Sequence, residues 1–98
     1  MTLDDDCALR RTDDVVSRVL DGEAVLLDLR EGIYFGLNEV GTRIWELLGE
    51  GATVAELRAK IFEEFDVEEA VASADLVELL DELLDRGLIE RVGLDARS

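Results

Sequence analysis

The side chains able to do chemistry in this chain are almost all carboxylates. Asp and Glu number 25 against 10 Lys and Arg, with no histidine and a single cysteine, Cys7. Paired carboxylates can act as general acid and base, but with so many acids such pairs arise by chance. No nucleophile–base pair stands out, and no Gly-rich loop is placed to cradle phosphate. A lone Cys7 without histidine gives no metal-ligand set and no internal disulfide. The sequence therefore predicts a protein that is not an enzyme, with no catalytic residues, no metal and no cofactor. The chemistry left is recognition: a net charge of −15 repels nucleic acid and anionic membrane and attracts basic peptides or basic protein surfaces. The competing reading is that the acid only keeps a small domain soluble.

The elements that must position such a surface follow from periodicity. Residues 1–12 are polar, charged and aperiodic, and read as a disordered acidic tail. Val15, Val16, Val19 and Leu20 form a β-branched cluster, followed by the hairpin turn signal Asp21-Gly22. Glu23 to Leu29 reads as a second strand and Ile33 to Leu37 as a third. Ile33, Phe35 and Leu37 share one face and Tyr34 takes the other. Asn38 N-caps a first helix to about Leu48, with Val40, Ile44, Trp45, Leu47 and Leu48 at helical spacing. Thr53 and Glu56 form a capping box for a second helix to about Phe65. Asp66 to Glu69 repeats that pattern before a third helix to about Arg86, with Gly87 as its stop and Leu88-Ile89 closing over the core. The expected fold is α+β and winged helix-turn-helix-like: a three-stranded antiparallel sheet followed by three helices (βββααα) over residues 13–92, with residues 93–98 as a C-terminal tail.

The motif Gly32-Ile33-Tyr34-Phe35-Gly36-Leu37-Asn38, with Gly41, Ile44-Trp45 and Leu47-Leu48 after it, resembles the PqqD-like family. Thr53, Phe65-Asp66, Asp75-Leu76, Leu79, Leu80, Leu83 and Gly87-Leu88-Ile89 continue the likeness, which covers about residues 13–91. The resemblance implies a recognition domain for the leader segment of ribosomally made, modified peptides, as in pyrroloquinoline quinone and lasso-peptide pathways. It also implies where the leader lies: in a cleft between the third strand and the third helix, adding a strand to the sheet. Its partners would be the precursor peptide and a maturation enzyme such as a protease or a radical SAM enzyme.

The residues themselves bear on that groove. At about 100° per residue, Leu76, Leu79, Leu80 and Leu83 together with Val77 and Leu84 spread over roughly half the third helix, wider than the ~100° stripe of a one-sided helix. One flank can pack the core while the other lines a groove; alternatively the sheet and short helices cover it all. The third strand must have one open edge, about 17 Å long at ~3.4 Å per residue. It carries neither charge nor proline to block pairing. Strand addition is one outcome, dimerisation through that edge the other. The peptide-binding residues expected are Ile33, Tyr34, Phe35, Gly36 and Leu37 on the strand, with Leu76, Leu79 and Leu83 as apolar walls. Asp75 and Glu82 at the border are placed to pair with a leader Lys or Arg.

Two rivals have weaker support. A DNA-reading winged helix needs basic or amide side chains on its recognition helix, and here that helix carries five acids between Asp75 and Asp85. An acyl carrier is small and acidic, but Ser73 lacks the Asp-Ser-Leu setting and the strands have no place in such a bundle. A generic interaction module also fits the composition. No apolar run approaches the roughly 20 residues of a membrane span, and Met1 to Arg11 does not read as a secretory signal. The expected setting is cytoplasmic, away from membranes.

Overall fold

A computed structural model describes residues 3–92; the C-terminal tail expected at 93–98 lies outside them. The chain orders as β1 (Ala8–Arg11), β2 (Val15–Leu20), β3 (Glu23–Asp28), β4 (Ile33–Gly36), α1 (Glu39–Leu48), β5 (Ala52–Thr53), α2 (Val54–Glu64), α3 (Glu69–Asp85) and β6 (Ile89–Val92). The α+β arrangement expected from the sequence is present: β2, β3 and β4 form an antiparallel meander, and three helices follow. The β2–β3 turn is made by Asp21 and Gly22, both at positive φ (55° and 82°), the primed geometry that matches the twist of a hairpin.

A second sheet, ordered β5-β1-β6, was not expected. For the described residues 3–12 it corrects the reading of 1–12 as a disordered tail. Leu3 and Leu9 are buried, and Ala8 to Arg11 pair with Ile89 to Val92 across nearly the whole chain. Four residues with one buried side chain leave no periodicity to detect. Their backbone groups are satisfied only by distant partners, β6 about eighty positions away on one side and Ala52–Thr53 of β5 on the other.

Helix capping is partly as expected. Asn38 accepts the Gly41 N–H at 2.8 Å. The Thr53–Glu56 box closes in both directions, at 3.1 and 2.8 Å. The second capping pattern does not operate: α3 begins after Glu68, whose side chain makes no cap bond. Gly87 follows the helix at φ 75°, the left-handed stop that a glycine takes without strain.

The core lies between the inner face of the meander and the helices. Ala24 and Leu26 from β3 meet Ile44, Trp45 and Leu48 of α1, Leu57 and Ile61 of α2, and Leu76, Leu80 and Leu83 of α3. Two hydrogen bonds lock α1 to the sheet. Thr42 accepts the Ala24 N–H at 2.7 Å and donates to the Leu37 carbonyl at 3.5 Å. This stitch sets the position of the last strand relative to the helices, and so the width of the space beside it.

Candidate peptide-binding site

β4 is an edge strand, paired to β3 with Leu26 opposite Phe35 and Asp28 opposite Ile33. The Leu37 N–H donates to the Ala24 carbonyl at 2.8 Å, which fixes the phase of the ladder. In an antiparallel pair, hydrogen-bonded positions alternate. Residues 33, 35 and 37 therefore point their amides and carbonyls at β3. Tyr34 and Gly36 point theirs outward, where no described residue takes them. The open rim offers two N–H donors and two carbonyl acceptors.

Beside that rim runs a cleft of about 380 Å³. Phe35, Gly36 and Leu37 form one wall. Val71, Ala72, Asp75, Leu76, Leu79 and Glu82 of α3 form the other, with Glu78 on the same lip. The floor comes from Val40 and Ile44 of α1 and Ile61 and Phe62 of α2. Leu37, Ile44, Ile61 and Leu76 are buried in the core cluster, so a rigid apolar base underlies the space. Gly36 has nothing within 4 Å of where a Cβ would stand, which leaves the rim uncluttered.

Seven of the ten expected residues thus come together: Phe35, Gly36, Leu37, Asp75, Leu76, Leu79 and Glu82. Three do not line the cleft. Leu83 is fully buried; its flank of α3 packs the core, and the cleft-facing flank runs instead through Val71, Asp75, Leu79 and Glu82. Tyr34 is 70% exposed on the outer face of the sheet, so only its backbone reaches the rim. Ile33 precedes the cleft at the start of β4. Sequence reasoning missed the floor. Val40, Ile44, Ile61 and Phe62 carried the right signal, an apolar period on α1 and α2, but that signal reads equally as core.

The charges are unevenly placed. Glu82 is joined to Arg86 at 3.4 Å, and the Arg86 guanidinium lies 5.0 Å from the centroid of the Phe35 ring. Arg58, also on the cleft, is paired with Asp5 at 2.7 Å. Among the described residues no group of His, Cys, Asp and Glu is arranged to hold a metal ion, and no helix is long and apolar enough to cross a membrane.

An open strand edge flanked by an apolar cleft, on a small sheet with three helices, is the geometry of a groove for an extended peptide. The sequence pattern of coenzyme PQQ synthesis protein D (PqqD) matches residues 23–89, and the chain belongs to that family. Among solved structures it is similar to TbiB1 in complex with the TbiA(beta) leader peptide, at 40% identity and a TM-score of 0.75, covering 86% of this chain and 98% of that one. It is also similar to a lasso peptide synthetase B1 complexed with the leader peptide, at 28% identity and a TM-score of 0.71, covering 84% and 96%. No curated protein sequence matches it.

Proposed function

We propose that this domain captures the leader of a ribosomally synthesised precursor peptide and hands the precursor to a separate maturation enzyme. The observation that carries the reading is the open rim of Tyr34 and Gly36 directly beside the apolar cleft. Both similar structures hold leader peptides. An extended leader zips onto β4 and drops alternate side chains toward Phe62, Leu76 and Leu79.

Magnitudes assign the parts. Backbone pairing at the four rim groups contributes about 0.5–1.5 kcal/mol each, roughly what association costs. Micromolar affinity needs about 8 kcal/mol net. Two or three apolar anchors in the cleft, each worth about 1.5–3 kcal/mol when fully buried, supply the rest. Asp75 and Glu82 orient the peptide more than they hold it, since exposed ion pairs contribute little affinity.

The domain acts as an adaptor, not a catalyst. It raises the effective concentration of the modifiable segment at the active site of a protease or radical SAM enzyme. The β4 rim is reserved for the leader, and self-pairing of two copies along it would compete. The test is a fluorescence titration with a labelled lasso-peptide leader, beginning with the TbiA(beta) leader of the similar complex. Micromolar or tighter binding that is lost in a folded Leu79→Glu variant supports the assignment. Binding untouched by that change, or no binding to such a leader, overturns it.

A further inference from the structure

Strand addition alone leaves the register of the bound peptide loosely set. A slip of two residues restores the same backbone pairing and keeps the same side chains facing the cleft. An apolar cleft tolerates such a slip. Something else has to fix which residue sits where, and the charged groups along α3 are placed to do so.

Asp75 and Glu78 stand on the cleft lip, and among the described residues neither enters an ion pair. At the other end of the helix Arg86 lies over Phe35, which belongs to the opposite wall. Its link to Glu82 is long and exposed on both sides, so it is readily exchanged for a better partner. Arg58, the cation among the residues lining the cleft, is already engaged by Asp5 at 2.7 Å. The cleft lip is therefore negative at Asp75 and Glu78, and just beyond the lining Arg86 adds a positive charge where it reaches from the end of α3 to Phe35 of β4.

We infer that this polarity selects leaders carrying a basic and an acidic side chain at a fixed spacing, and that Arg86 is the residue that reads the acid. The inference rests on the leader-binding reading above. Arg86, the residue that caps α3, is eleven positions after Asp75, about 16 Å at ~1.5 Å per position. A strand covers that distance in about five residues at ~3.4 Å. Side chains on the same face of a strand differ by an even number, so the two charges fall four or six positions apart, in one order and not the reverse. Only the correctly registered peptide satisfies both ends; a slipped one places a charge against the apolar floor.

The probe is a display library of random 16-residue peptides selected on the full chain, on Arg86→Glu and on Asp75→Lys, each checked for folding by circular dichroism, with Leu79→Glu as control. The expected wild-type pool has apolar anchors plus a base and an acid four or six apart in a single order. Arg86→Glu replaces the acid preference with a base at that position, and Asp75→Lys does the converse. A selected peptide with its acid changed to Lys binds wild type about three- to fivefold more weakly and regains the loss on Arg86→Glu. A wild-type pool with apolar anchors but no spaced charge pair, or identical pools on wild type and Arg86→Glu, overturns the inference while leaving leader binding intact. A pool that enriches nothing over the Leu79→Glu control removes the leader-binding reading and this inference with it.

Discussion

The guanidinium of Arg11 lies 4.6 Å from the centroid of the Trp45 ring and donates to the carbonyl of that same residue, from Nε at 3.0 Å and from a terminal nitrogen at 2.5 Å. A residue of β1 thus holds the face and the backbone of a core helix at once. Burial pulls its proton affinity below the ordinary arginine value, and nearby Glu46 works against that. Arg11→Ala should lower stability by about 2 kcal/mol, from lost charge-assisted bonds and ring stacking. Arg11→Lys should restore little, because one ammonium cannot reproduce a two-pronged donor lying flat on a ring. Urea denaturation of the three proteins checks this; equal midpoints would refute it.

The phase of the β3–β4 ladder separates two proline substitutions. Gly36→Pro removes an outward N–H and leaves the pairing to β3 untouched, so the protein should fold and bind leader about two- to tenfold more weakly. Phe35→Pro removes an inward N–H and should damage the sheet itself. Circular dichroism together with a leader titration distinguishes them. Normal binding by Gly36→Pro would mean the leader does not add to this rim.

Leu79 and Leu83 sit one turn apart on α3 and should behave oppositely. Leu83 is fully buried and lies off the cleft, so Leu83→Ala should cost about 2–5 kcal/mol of stability with little direct effect on binding by the folded fraction. Leu79 is half-buried on the cleft wall, so Leu79→Glu should leave the melting temperature nearly unchanged and abolish binding. The reverse assignment would show the leader using the other flank of the helix.

Arg43 of α1 grips Glu64 of α2 through two nitrogens, at 2.6 and 2.9 Å. The hydrogen bond from Arg43 holds the Glu64 carboxyl below its ordinary value of 4.5. A depressed folded-state value means that the unfolded chain takes up the proton first. The stabilisation from this pair is full above about pH 4.5 and drains away as the pH falls through the lower folded value. Glu64→Gln should therefore flatten stability against pH in that acid window and leave its slope near pH 7 unchanged. Denaturant midpoints between pH 3 and 7 measure it; parallel curves for the two proteins would exclude the pair as the cause.

What could be read from the sequence was what local pattern encodes. The meander was legible because Ile33, Phe35 and Leu37 alternate with polar or turn residues. The first two helices were legible because Asn38 and Thr53 cap them. The β1–β6 pairing was not, since the partners of Ala8 to Arg11 lie far along the chain, Ala52–Thr53 on one side and Ile89 to Val92 on the other. For α3 the angular spread of leucines showed that two flanks were apolar. Which flank met the core depended on where Ala24 and Leu26 stood, and no helical wheel contains that. Asp75, Leu79 and Glu82, expected from the sequence, do line the cleft; the floor at Ile44 and Phe62 emerged only once α1 and α2 were laid beneath.

The small sheet carries a consequence for how the molecule assembles. Arg11 pairs with Ile89 and Ala8 with Val92, so this sheet closes a ring containing nearly every other residue. Contacts of such long sequence separation are slow to form, whereas the hairpins and capped helices nucleate nearby. During synthesis the meander and the first two helices can take shape while the last strand is still to be made. The ring then shuts as the final act, and the strand that shuts it comes directly after the helix that walls the groove.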